Sequence, residues 1–172
     1  MNKQVKKTIM IILLACVSVF ALYCVVWIVY VSRVYLPFIK ALDGSKNTES
    51  DGYFYYVATP SFLSFNGNLA VGESRKDKDV FEDSSVDLII WPQINGGYKV
   101  LVQVETPKEK IDEYNTKSAM YGVYLNSDLK PDLSDEETVQ SYYEHKEFFK
   151  ENWDKIENAL DKACAAFDLS LG

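Results

Sequence analysis

Apolar residues are spaced in three different ways along this chain, and each spacing predicts a different element. From Thr8 to Val31 they are nearly continuous, and 24 residues pass without a charge. About 20 apolar residues suffice to cross a hydrocarbon core of about 30 Å, so this run predicts a transmembrane helix. From Tyr53 the apolar positions alternate or come in short blocks bounded by Gly, Pro and Asn, which is the pattern of strands. From Ser134 onward they recur mostly every three or four residues, at Val139, Tyr142, Phe149, Trp153, Ile156, Leu160, Ala163 and Phe167. That is the stripe of an amphipathic helix.

Within the strand region, "YFYYVAT" ends before Pro60, and "FLSF-NG-NLAVGE" reads as a hairpin closed by Asn66-Gly67. "VDLIIWPQ" and "YKVLVQVET" flank "INGG" and read as a second hairpin, with Val86, Leu88 and Ile90 on one face and Val100, Val102 and Val104 on the partner's. "TPKE" at Thr106 to Glu109 has the form of a capping box and predicts a short helix to about Lys117. "AMYGVYL" returns to strand texture. "SDEE" at Ser134 to Glu137 predicts the start of the last helix. A helix of about 30 residues would be about 45 Å long, more than a small sheet needs, so it must lie diagonally, break, or project.

These elements predict an α+β chain: an N-terminal transmembrane helix, then an antiparallel sheet of about five to six strands packed against a long C-terminal helix. The expected division is a cytoplasmic N-terminus at 1–7, an anchor at 8–31, a juxtamembrane linker at 32–52 and an extracytoplasmic domain at 53–172. The linker reading rests on the polar "DGSKNTESDG".

The apolar run has three readings. "VFA" would meet the small-residue rule for a cleaved signal, and "LLAC" resembles a lipoprotein box ending at Cys16. The run continues well past both, and Trp27, Tyr30 and Tyr35 stand where an interfacial aromatic belt belongs. A retained anchor fits better. Lys3, Lys6 and Lys7 before it, against Arg33 and Lys40 after it, place the N-terminus in the cytoplasm. The expected location is the inner (plasma) membrane.

Charge narrows the partners. Three of the 18 basic residues precede the run and all 25 acidic ones follow it, so the remainder carries a formal charge of −10. Phosphate backbones repel such a domain, and nucleic acid is not expected as a partner. Cys16 and Cys24 lie in the span, leaving Cys164 on the apolar stripe of the last helix and no internal disulfide in the domain.

Candidate chemistry is sparse. His145 is the only histidine, so no multi-histidine metal site is expected. "NSDLKPDLSDEE" (Asn126 to Glu137) is rich in oxygen ligands, but Pro131 occupies the position where a calcium loop needs glycine. Asp77, Asp79, Glu82 and Asp83 could supply paired carboxylates to a hydrolase, yet Arg75, Lys76 and Lys78 are interleaved with them as in a solvated loop. The sequence therefore predicts no cofactor, no metal and no catalytic role. Tyrosine is the suggestive residue type, because it offers apolar area with a polar tip. Tyr53, Tyr55, Tyr56, Tyr142 and Tyr143 are the candidate interface for a protein partner in the cell envelope. A membrane-tethered immunity or inhibitor protein against a basic toxin or enzyme is the alternative within the same class.

Overall fold

The computed structural model describes residues 3–62, 64–74, 83–93, 96–111 and 116–171. Helix α1 (Lys3–Val34) contains the whole apolar run and is followed at once by α2 (Leu36–Ala41). Among the described residues α1 begins the one stretch long and apolar enough to cross a membrane, a property that signal sequences share. Strands β1 (Asn47–Ser50), β2 (Tyr53–Ala58), β3 (Asn68–Glu73), β4 (Ser85–Pro92) and β5 (Tyr98–Glu105) then form an antiparallel meander. Strand β8 (Met120–Leu125) completes a six-stranded sheet beside β5. The last segment is helical as α3 (Glu136–Glu144), α4 (Lys146–Glu151) and α5 (Trp153–Phe167). The architecture is α+β, as the apolar spacing predicts.

The core lies between one face of the sheet and the C-terminal helices. Val86, Leu88 and Ile90 of β4 and Val100, Val102 and Val104 of β5 all point into it, as their alternation requires. From the helices come Phe149, Ile156, Leu160, Ala163 and Phe167. The long helix breaks at His145 and Asn152, which allows its apolar stripe to follow the twisted sheet rather than project beyond it. Its N-cap is Asp135, whose side chain accepts from the Thr138 backbone N–H at 2.9 Å. The helix is thus capped one residue later than the capping-box pattern suggests, by Asp135 alone. Ser134 is held instead by Asp132.

Three local expectations are corrected. Asn66-Gly67 is not a two-residue turn, because β2 ends at Ala58 and β3 begins at Asn68, with a nine-residue connection between them. The two-residue turn is Asp51-Gly52, where Ser50 pairs with Tyr53 and both turn residues have positive φ, 52° and 78°. The segment read as a linker thus contains α2 and the edge strand β1, and Tyr35, Phe38 and Leu42 belong to the core. Finally, "TPKE" does not open a helix. Residues 109–110 form β6 and pair with β7 (Thr116–Lys117), and the Thr106 hydroxyl accepts from the Ala119 N–H. Tertiary pairing with the start of β8 outweighs the local capping signal.

Candidate functional site

Alternation in the strands sends every second side chain to the face opposite the helices. In register across β2, β3, β4, β5 and β8 stand Tyr56, Ala70, Ile89, Leu101 and Tyr124. Four strand spacings make this apolar row about 19 Å long. Phe54 and Trp91 extend it, and it lies on the face opposite the C-terminal helices, whose apolar residues fill the core. Phe54 and Tyr56 remain 43% and 39% exposed. Next to Phe54, Gly72 leaves room for the carboxylate of Asp87, directly opposite it on β4.

At one end the row runs into a cleft of about 400 Å³ between Tyr30, Tyr35, Phe65, Trp91, Lys99 and Tyr124. There Lys99 Nζ sits 3.7 Å from the centroid of the Tyr124 ring, a cation–π contact. Burial, with help from neighbouring Tyr30, pushes the Tyr35 hydroxyl above its ordinary range. Tyr35 is therefore a neutral wall of this cleft at physiological pH.

The five tyrosines predicted as an interface do not come together. Tyr53 and Tyr55 alternate into the core, where Tyr55 meets Phe167 edge-on and the Tyr53 hydroxyl accepts from Asn158 at 2.9 Å. Neither presents a surface. Tyr56 lies on the uncovered face. Tyr142 and the exposed Tyr143 lie on α3, away from Tyr56, and Tyr142 helps to line a second, mainly apolar cleft with Leu133, Lys150 and Trp153. The residues that sequence reasoning missed are Ile89, Trp91 and Leu101. Their signal was available, since "LIIW" and "VLV" are apolar at both parities although the chain has helices enough to cover only one face.

The carboxylates proposed for hydrolysis fare differently. Asp77, Asp79 and Glu82 lie outside the described residues, and Asp83 is in contact with Lys155 at 2.6 Å. Lys155 Nζ also donates to the Ser84 carbonyl (3.1 Å) and hydroxyl (3.2 Å), and Ser84 Oγ bonds the buried Asn152 amide oxygen. Lys155 acts here as a donor in all three contacts, so the group ties the start of β4 to the α5 end. His145 stacks on Tyr121 with centroids 3.7 Å apart. In the oxygen-rich turn, Asn126 Oδ1 accepts the N–H groups of Asp128 and Lys130, and hydrogen bonds from Ser134 hold the Asp132 carboxyl below its usual range.

Comparison with protein-family models, curated proteins and solved structures finds no match to this chain. The uncovered face and its cleft are therefore interpreted on their own chemistry.

Proposed function

We propose that this is a single-pass membrane-anchored envelope protein whose extracytoplasmic domain binds another protein through the uncovered face of its sheet. The observation that carries this reading is the apolar row from Tyr56 to Tyr124, exposed at Tyr56 and half-buried along the other strands, on the sheet face opposite the C-terminal helices among the described residues. A contiguous aromatic and aliphatic surface of this kind marks an interaction site, since soluble surfaces seldom leave one bare. The retained anchor is supported by the contacts of α1. Tyr23, Trp27 and Tyr30 all donate hydrogen bonds to the domain, and Tyr35 just beyond α1 is in the core. A segment destined for removal has no reason to pack on the product it leaves behind.

The test is site-specific photocrosslinking in intact cells, with benzoylphenylalanine at Tyr56, Leu101 or Tyr143 of the full-length protein. One adduct of a single size is expected from Tyr56 and Leu101 but not from Tyr143. An adduct from Tyr143 alone would transfer binding to the helix side, and none from any position would overturn a protein partner. An adduct lost steeply with rising salt would favour the inhibitor reading, because steering by the acidic domain is screened by ions.

A further inference from the structure

The connection between β2 and β3 carries two aromatic rings that do not enter the domain core. Phe62 packs instead on α1, with its ring centroid 5.9 Å from Phe20, 5.6 Å from Tyr23 and 5.5 Å from Trp27. Phe65 packs on Tyr23 and Tyr30. The positions 20, 23, 27 and 30 are spaced by three and four residues, so they form one face of the helix. The same face supplies hydrogen-bond donors to the connection's backbone. Tyr23 donates to the Phe62 carbonyl, Trp27 Nε1 to that of Ser61 at 3.0 Å, and the Tyr30 hydroxyl to that of Phe65 at 3.0 Å.

Height along α1 decides what surrounds these groups. Phe62 sits at the level of Phe20 to Trp27, well inside the charge-free run. To leave Phe62 outside the hydrocarbon, the span would have to end before Phe20. The apolar run would then cross with only the residues from Thr8 to Val19, about 18 Å of helix, against a core of about 30 Å. That is too short. The contacts with α1 therefore carry the connection below the membrane surface.

Irregular backbone is costly at such depth, because nothing in hydrocarbon solvates a free carbonyl. It persists only where protein groups satisfy it, and the three aromatic donors of α1 do so. In water those carbonyls would need no such partners, and Phe62 would expose 39% of its surface without benefit.

We propose that the tip of this connection, carrying Ser61, Phe62 and Phe65, is inserted in the membrane, seated against α1 in the leaflet on the domain's side, with lipid acyl chains covering its outward face. The inference rests on the reading of α1 as a retained anchor.

The test places single nitroxide labels on the full-length protein in phosphatidylcholine–phosphatidylglycerol vesicles, after Cys16, Cys24 and Cys164 are changed to alanine. Labels go on Phe62→Cys and Ser61→Cys, with Leu22→Cys as the reference for the span and Tyr143→Cys as the reference for water. Power saturation compares access to oxygen, which concentrates in hydrocarbon, with access to a nickel chelate, which stays in water. The label at 62 is expected to favour oxygen over nickel as the label at 22 does, and opposite to the label at 143, with 61 following 62. Labels at 62 and 61 that favour nickel while 22 favours oxygen would overturn the insertion and leave the anchor standing. Nickel access at 22 as well would overturn the anchor reading and the insertion with it.

Discussion

Gly67 shows how one residue can be misread in type yet correctly marked as special. Its φ is not positive, so it is not there for a left-handed turn. It is there because a Cβ would strike the Ala58 carbonyl, Pro60 Cδ at 2.7 Å and Tyr35 Cζ at 2.8 Å. The missing side chain lets the β2–β3 connection, the strand end and Tyr35 share one small space. Gly67→Ala is expected to lower stability by about 1–3 kcal/mol, the usual cost of overpacking, read as a shift in the denaturation midpoint of the detergent-solubilised protein. Sequence alone offered a turn dipeptide at this point, because close approach from residues 32 positions away leaves no local trace. Phe62 and Phe65 were misassigned for a related reason. Their apolarity reads as strand texture, although its physical origin is a helix some 40 residues earlier in the chain.

Elements with strict period were legible and elements held by tertiary pairing were not. The hairpin of β4 and β5 and the strand β8 follow directly from alternation, and the C-terminal stripe follows from its spacing of three and four. Strand β1, "NTES", has no apolar signal because it is a polar edge, half of the way sheets avoid pairing with neighbours. Its membership in the sheet depends on the Asp51-Gly52 turn, which fixes the register against β2. A fragment beginning at Tyr53, the boundary the sequence suggests, would lose β1 together with Tyr35, Phe38 and Leu42 from the core. That fragment is expected to aggregate or melt without a cooperative transition, whereas one beginning at Arg33 should melt cooperatively. Circular dichroism melts of the two would decide. Of the candidate site, Tyr56 and the apolar outward positions of β4 and β5 are legible strand by strand, but their alignment into one row is not. A row across a sheet needs the register of five strands, which no single strand encodes.

At the level of the whole molecule, Tyr35, Tyr53 and Tyr55 are buried in the core with Tyr98 packed against it, and this sets a pH limit. Burial raises the hydroxyls of Tyr35, Tyr53, Tyr55 and Tyr98 above their ordinary value of 10.0. An acid whose folded-state value is raised keeps its proton more tightly when folded, so its contribution to stability is complete below pH 10.0 and is lost as the pH climbs through the raised values. The urea midpoint is therefore expected to hold steady from pH 7 to 9 and to fall above pH 10.0, in step with tyrosinate absorbance. A midpoint unchanged up to pH 11 would count against burial of these hydroxyls.

The joint between α1 and the domain has a mechanical meaning. Hydrogen bonds from Tyr23, Trp27 and Tyr30 on one side, and the insertion of Tyr35 and Phe38 into the core on the other, leave no swivel between mast and head. A head on a loose string sweeps out a hemisphere and meets partners at any elevation. On the proposed anchoring, a head bolted to its mast can only drift sideways and spin about the upright axis, so the proposed binding face would patrol a single shallow band above the lipid. A partner fixed in the same membrane would be engaged only when its own contact surface lies in that band, which makes elevation a selection rule alongside shape.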